Sequence, residues 1–174
     1  MNLNQVNLTY QPVEDRLLFR INTLDQAEFR LWLTRALVSR LLEGFDKMEE
    51  LVLQEEGSAA RFAAGPLQVM QEIQREAEAS HSDFKTAFSP TASVFPLGET
   101  PVLAVGGQLR REDGQTLFTL DVAGGTSFTV ILDGRLLMSL HKLLLDVLVN
   151  VPWGLAVSPA NLMPTPSGRP VWLH

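Results

Sequence analysis

An α+β fold of two β-β-β-α units, related by a pseudo-twofold and joined by a helical linker, is what three features of this sequence predict. The first is an ungapped internal repeat. Shifted by 99 residues, Leu18, Phe19, Phe29, Leu33, Leu37 and Leu41 fall on Leu117, Phe118, Phe128, Leu132, Leu136 and Leu140. The polar residues between them mostly differ, which is the mark of one supersecondary unit used twice. The second is period-two alternation. It places Leu17, Phe19, Ile21, Phe29, Leu31 and Leu33 on one face, and Phe118, Leu120, Val122, Phe128, Val130 and Leu132 on the matching face of the second copy. The third is a pair of helical stripes at the same offset. Val38, Leu41, Phe45, Met48 and Val52 follow a 3-4 spacing, and so do Leu137, Leu140, Leu144, Val147 and Val151.

The elements follow in order. Leu3–Tyr10 is a strand, and Gln11–Asp15 turns the chain at Pro12. Leu17–Asn22 is the second strand, Thr23–Ala27 a turn and Glu28–Leu33 the third strand. Thr34 stands where an N-cap belongs, and a helix runs to about Glu56, with Gly57 as its C′ residue. Residues 1–56 thus make the first unit. Residues 57–100 form a helical linker and loop: a helix over 65–88 enters through Pro66, and Ala92–Phe95 has the composition of a further strand. The second unit, 101–151, repeats the plan. It has strands at Pro101–Arg110, Thr116–Val122 and Ser127–Leu132, turns at Glu112-Asp113-Gly114 and Ala123-Gly124-Gly125, and a helix capped by Asp133 that runs to about Val151. The tail, 152–174, holds five prolines and reads as extended. The two units are expected to share one core.

Composition narrows the function. At 45% hydrophobic and 20% charged the chain is globular, not disordered. A net charge of −6 argues against general affinity for nucleic acid or anionic membrane. The absence of cysteine excludes disulfides, thiolate metal sites and cysteine nucleophiles. The most apolar stretch, 136–151, is broken by His141, Lys142, Asp146 and Asn150 and is shorter than the roughly 20 residues a bilayer requires. With no signal-peptide pattern either, the expectation is a cytoplasmic protein that does not engage a membrane. The second helix is apolar nearly all round and should lie deep. The first keeps a charged side of Arg40, Glu43, Lys47 and Glu50 and should lie nearer solvent.

The candidate sites are few. Arg16, Arg20, Arg30 and Trp32, with Leu18, fall on the strand face opposite the core. Arginines interleaved with an aromatic suit a single-strand stacking platform. The same pattern also suits a solvated face with arginine stems lying over Trp32, or a face covered by another element. The stripe Val38, Leu41, Phe45 and Met48 could pair with another helix at a shallow angle or pack on its own sheet. Trp172 and Leu173 make an apolar end to the tail that could dock on a partner. His81, His141 and His174 have no ligand spacing, the glycine pairs lack a phosphate-loop context, and Glu49, Glu50, Glu55 and Glu56 read as solvated surface. No catalytic constellation, metal site or cofactor is expected.

The most distinctive string is Phe29-Arg30-Leu31-Trp32-Leu33-Thr34-Arg35. A sheet-then-helix unit used twice is similar in outline to Whirly, PUR-repeat and coactivator-type single-strand binding domains. The first copy has three strands before its helix where those domains usually have four, and its acidic balance departs from theirs. The sequence therefore favours a non-catalytic protein-interaction or structural module, oligomeric or bound to another protein. Single-stranded nucleic-acid binding through the Arg/Trp32 face is the alternative.

Overall fold

The computed structural model describes residues 3–55 and 93–155. Its elements are β1 (Leu3–Gln11), β2 (Arg16–Thr23), β3 (Glu28–Leu33), α1 (Arg35–Glu55), β4 (Val102–Glu112), β5 (Gln115–Val122), β6 (Ser127–Leu132) and α2 (Gly134–Leu148). The expected linker helix, Gly57, Trp172 and Leu173 lie outside the described residues.

Local chemistry accounts for the boundaries. Asp113 and Gly114 both take positive φ (48° and 75°), the backbone of the two-residue turn that matches strand twist, so β4 and β5 close tightly. Thr34 accepts at Oγ1 from the Leu37 amide at 3.3 Å, and Asp133 accepts from the Leu136 amide at 2.8 Å. Each satisfies an amide left open in a first helical turn. Helix α2 stops at Leu148, short of the expected Val151. There the bonds tighten to Asn150 N–Val147 O (3.2 Å) and Val151 N–Leu148 O (3.1 Å) just ahead of Pro152. Of the strand expected at 92–95, the described residues 93–95 contribute one parallel bridge, Ala27 to Val94.

The strands form one mixed sheet in chain order, β1-β2-β3-β4-β5-β6. Each triplet is antiparallel. They join by a short parallel contact in which Leu31 and Trp32 of β3 pair with Val102 and Leu103 of β4. The sheet is far from flat. Three steps across it separate β3 from β6, roughly 14 Å at ordinary strand spacing. Yet the rings of Phe29 and Phe128 lie 4.5 Å apart, and those of Phe19 and Phe118 lie 6.5 Å apart. The sheet curls until its two triplets face each other over a common core.

The helices complete that core by crossing over. Helix α1 packs on β4, α2 packs on β1 and also on β5 and β6 of its own triplet, and the two helices touch. Of the two packings the stripes allowed, both occur in part: the helices meet each other, and α2 rests on its own strands as well as on β1. Val38, Leu41, Phe45 and Met48 are all buried in a cluster that draws on every element, so this face is covered by the chain itself. The depth order holds: Arg40, Glu43, Lys47 and Glu50 are exposed on α1, whereas much of the circumference of α2 is buried or half-buried. Close approach of α1 to β4 needs Gly107, where a Cβ would stand 2.9 Å from the Leu41 Cδ2 and 3.0 Å from that of Leu120. Phe29 is half-buried where Phe128 is 6% exposed, so these two positions are not equally enclosed.

Each helix also ends against the hairpin of the other half. Glu55 at the end of α1 holds Arg111 at 2.7 Å, and Arg111 reaches the buried Thr116. Beyond α2, Trp153 is 3% exposed and donates from Nε1 to Asp15 Oδ1 at 2.6 Å. Tyr10 donates its hydroxyl to the same oxygen at 2.8 Å and meets the Trp153 ring edge-on. These two hydrogen bonds, Trp153's first, hold the Asp15 carboxyl below the usual carboxylate range, and the bond to Asp15 raises the Tyr10 phenol.

Two outcomes are expected. Phe128→Ala should lower stability by about 3–5 kcal/mol, and Gly107→Ala by about 1–3 kcal/mol through overpacking, both read by denaturant melts. A carboxyl lowered in the fold stabilises above its unfolded pKa, and that contribution is lost as pH falls through the folded value. Parent stability should therefore fall on acidification in a step that Asp15→Asn lacks, measured by thermal melts across the acid range.

Candidate functional site

Two places among the described residues are candidates for a site. The first is the outer face of β2 and β3. The alternation expected from sequence is observed: Leu17, Phe19, Ile21, Leu31 and Leu33 point into the core, and Arg16, Leu18, Arg20, Arg30 and Trp32 lie half-buried on the opposite side. Register puts Arg20 across from Arg30, and Leu18 across from Trp32, which has Leu103 on its other flank. The guanidinium groups are engaged internally. Arg20 donates from Nε and Nη2 to Asn7 Oδ1 at 3.2 and 2.7 Å. Arg30 donates to Glu28 Oε1 at 2.7 Å and to the Glu99 carbonyl at 2.8 Å, and it lies 4.6 Å from the centre of the Phe95 ring. The 93–99 segment therefore covers one end of this face. Glu28, although on the outward side, is 1% exposed, and its Oε2 is buried without a hydrogen-bond partner.

The second place is the α1–α2 contact, and sequence reasoning missed it. Glu49, expected on a solvated face, is wholly buried. His141 Nδ1 lies 2.9 Å from its Oε1. A carboxylate facing Nδ1 favours the tautomer that carries its proton there, and in that tautomer Nε2 bears the lone pair. Phe45 stacks on the imidazole, with ring centroids 5.2 Å apart. On the other side Asp46, 62% exposed, places Oδ1 3.9 Å from Nε2. One ligand atom from each of Asp46, Glu49 and His141 falls within 4.8 Å of the others. The signal was present in the sequence. Glu49 lies four residues after Phe45 and three before Val52, and His141 four after Leu137 and three before Leu144. Each polar residue thus sits inside an apolar stripe.

The arrangement joins two helices through a polar pair in an apolar setting, where removing one member is far worse than removing both. Glu49→Leu should destabilise by roughly 3–5 kcal/mol, and Glu49→Leu combined with His141→Leu should recover most of that loss, measured by urea melts.

Arg16, Arg20, Arg30 and Trp32 share one face as expected. Val38, Leu41, Phe45 and Met48 line the interior. Among the described residues no helix is long and apolar enough to cross a membrane. No protein-family model, curated protein or solved structure was found that matches this chain.

Proposed function

We propose that this chain is a non-catalytic protein-interaction module that associates through its sheet edge, with a second copy of itself as the first partner to test. The observation that carries the reading is strand β6. Among the described residues it pairs only with β5, and no other described strand lies along its far side. Edge strands are commonly blunted by lysine, proline or a bulge. Ser127-Phe128-Thr129-Val130-Ile131-Leu132 has none of these and carries no charge. Ile131 is 45% exposed and sits across from the half-buried Leu117, giving the edge an apolar flank. Such an edge can take another strand by main-chain hydrogen bonding. A cytoplasmic location agrees with the absence of cysteine.

The same proposal includes a duplicated β-β-β-α unit with approximate twofold symmetry. Turn bonds support it. Thr23 N–Ala27 O and Gln26 N–Thr23 O have counterparts 99 residues on in Val122 N–Thr126 O and Gly125 N–Val122 O. So do the ring contacts, because Phe19 touches Phe118 and Phe29 touches Phe128. A residue meets its own counterpart only near a symmetry axis. The first hairpin departs from the second in its connection, with residues 12–15 between strands where the second has 113–114.

Single-strand binding is ranked below this reading. It needs guanidinium groups free to reach phosphates, and Arg30 already serves Glu28 and the Glu99 carbonyl.

Light scattering on the full chain should give a mass above that of one copy. Thr129→Lys with Ile131→Lys should return it to one copy without lowering the melting temperature. A parent that stays monomeric at high concentration overturns self-association. Labelled oligonucleotide should not bind at physiological salt; salt-sensitive binding abolished by Trp32→Ala would favour the nucleic-acid reading instead.

A further inference from the structure

We propose that His141 and Asp46 form a binding site for a divalent transition metal of the zinc type, at the solvent mouth of the α1–α2 contact. Three observations carry it. First, the imidazole is pre-oriented. Its Nδ1–H is held by the buried Glu49 carboxylate at 2.9 Å, which leaves Nε2 as the available donor. A carboxylate fixing the far nitrogen of a ligating histidine is the usual outer support of zinc sites, setting the tautomer and raising basicity. Second, a carboxylate stands where a second ligand belongs. Asp46 Oδ1 is 3.9 Å from Nε2. Zinc about 2.1 Å from both atoms at a near-tetrahedral angle needs them about 3.4 Å apart, a gap that a small rotation of the exposed Asp46 side chain closes. Third, the two ends differ in surroundings: Glu49 and His141 are enclosed, while Asp46 is open to water, so solvent can fill the remaining coordination positions.

Imidazole with carboxylate is a borderline donor set that suits zinc over calcium or magnesium. Two protein ligands make this a site of modest affinity, and Asp46 has a further polar contact with which the metal competes. Glu49 acts here as a positioning residue and does not touch the ion. The ion would tie α1 to α2 at the one point where each helix carries a polar group into its apolar stripe.

The test is a calorimetric titration of the full chain with zinc chloride, beside thermal melts with and without the metal. Saturable binding of one ion per chain in the micromolar range is expected, with a raised melting temperature. Asp46→Asn should weaken binding at least tenfold and shrink the metal-induced rise in melting temperature, each compared with its own metal-free melt. Glu49→Gln should weaken binding about 10–100-fold through loss of orientation. Replacing His81 and His174 together with alanine should change nothing. The proposal is overturned by no saturable binding up to millimolar zinc, by equal affinity in Asp46→Asn, or by loss of binding in the His81/His174 variant.

Discussion

The two strand triplets of this molecule share one core. A three-stranded antiparallel triplet has one apolar face, and the helix that follows it in sequence has an apolar stripe, so the simplest packing would fold each helix back on its own strands. Instead α1 lies on β4, and α2 spans β1 as well as its own β5 and β6. The curl of the sheet follows, because only facing triplets put each helix within reach of the other half. The Phe19–Phe118 and Phe29–Phe128 contacts follow in turn, filling the space between the triplets with aromatic pairs whose geometry adds to their area burial. The missing side chain at Gly107 is part of the same constraint, since α1 comes too close to β4 for a Cβ.

The sequence disclosed the elements far better than their arrangement. Strand faces were legible because alternation in Leu17–Ile21 and Phe118–Val122 leaves no choice of which side chains turn inward. Helix starts were legible because Thr34 and Asp133 stand where an amide-accepting side chain is needed. What covers each apolar face was not legible, since periodicity identifies a face without naming its partner. The parallel β3–β4 contact had no local signature either, resting on two residue pairs of long sequence separation. The outer face was half legible. Glu28 lies two residues before Arg30 on the same side, so that pair could be read directly, but the Glu99 carbonyl and Phe95 come from a connection with no pattern of its own.

Glu49 and His141 illustrate a different blindness. Both interrupt apolar stripes, and a lone polar residue in a stripe is easily dismissed as tolerated noise. The two interruptions face each other. The specificity consequence is direct: a helix pair held only by leucines can slide by a turn at modest loss, whereas displacement here separates a buried carboxylate from its donor. The pair thus fixes the register of two helices that have no sequence continuity.

The Trp153–Asp15 hydrogen bond joins positions 138 residues apart. During synthesis, at about 5–20 residues per second, the first hairpin waits roughly 7–28 s before its closing partner leaves the ribosome. Through that interval β1 also lacks α2, which packs on it in the finished fold. A nascent chain of this design keeps apolar strand faces without their final cover until its second half is made. Contacts of such long sequence separation slow folding, because the loop must close before they form.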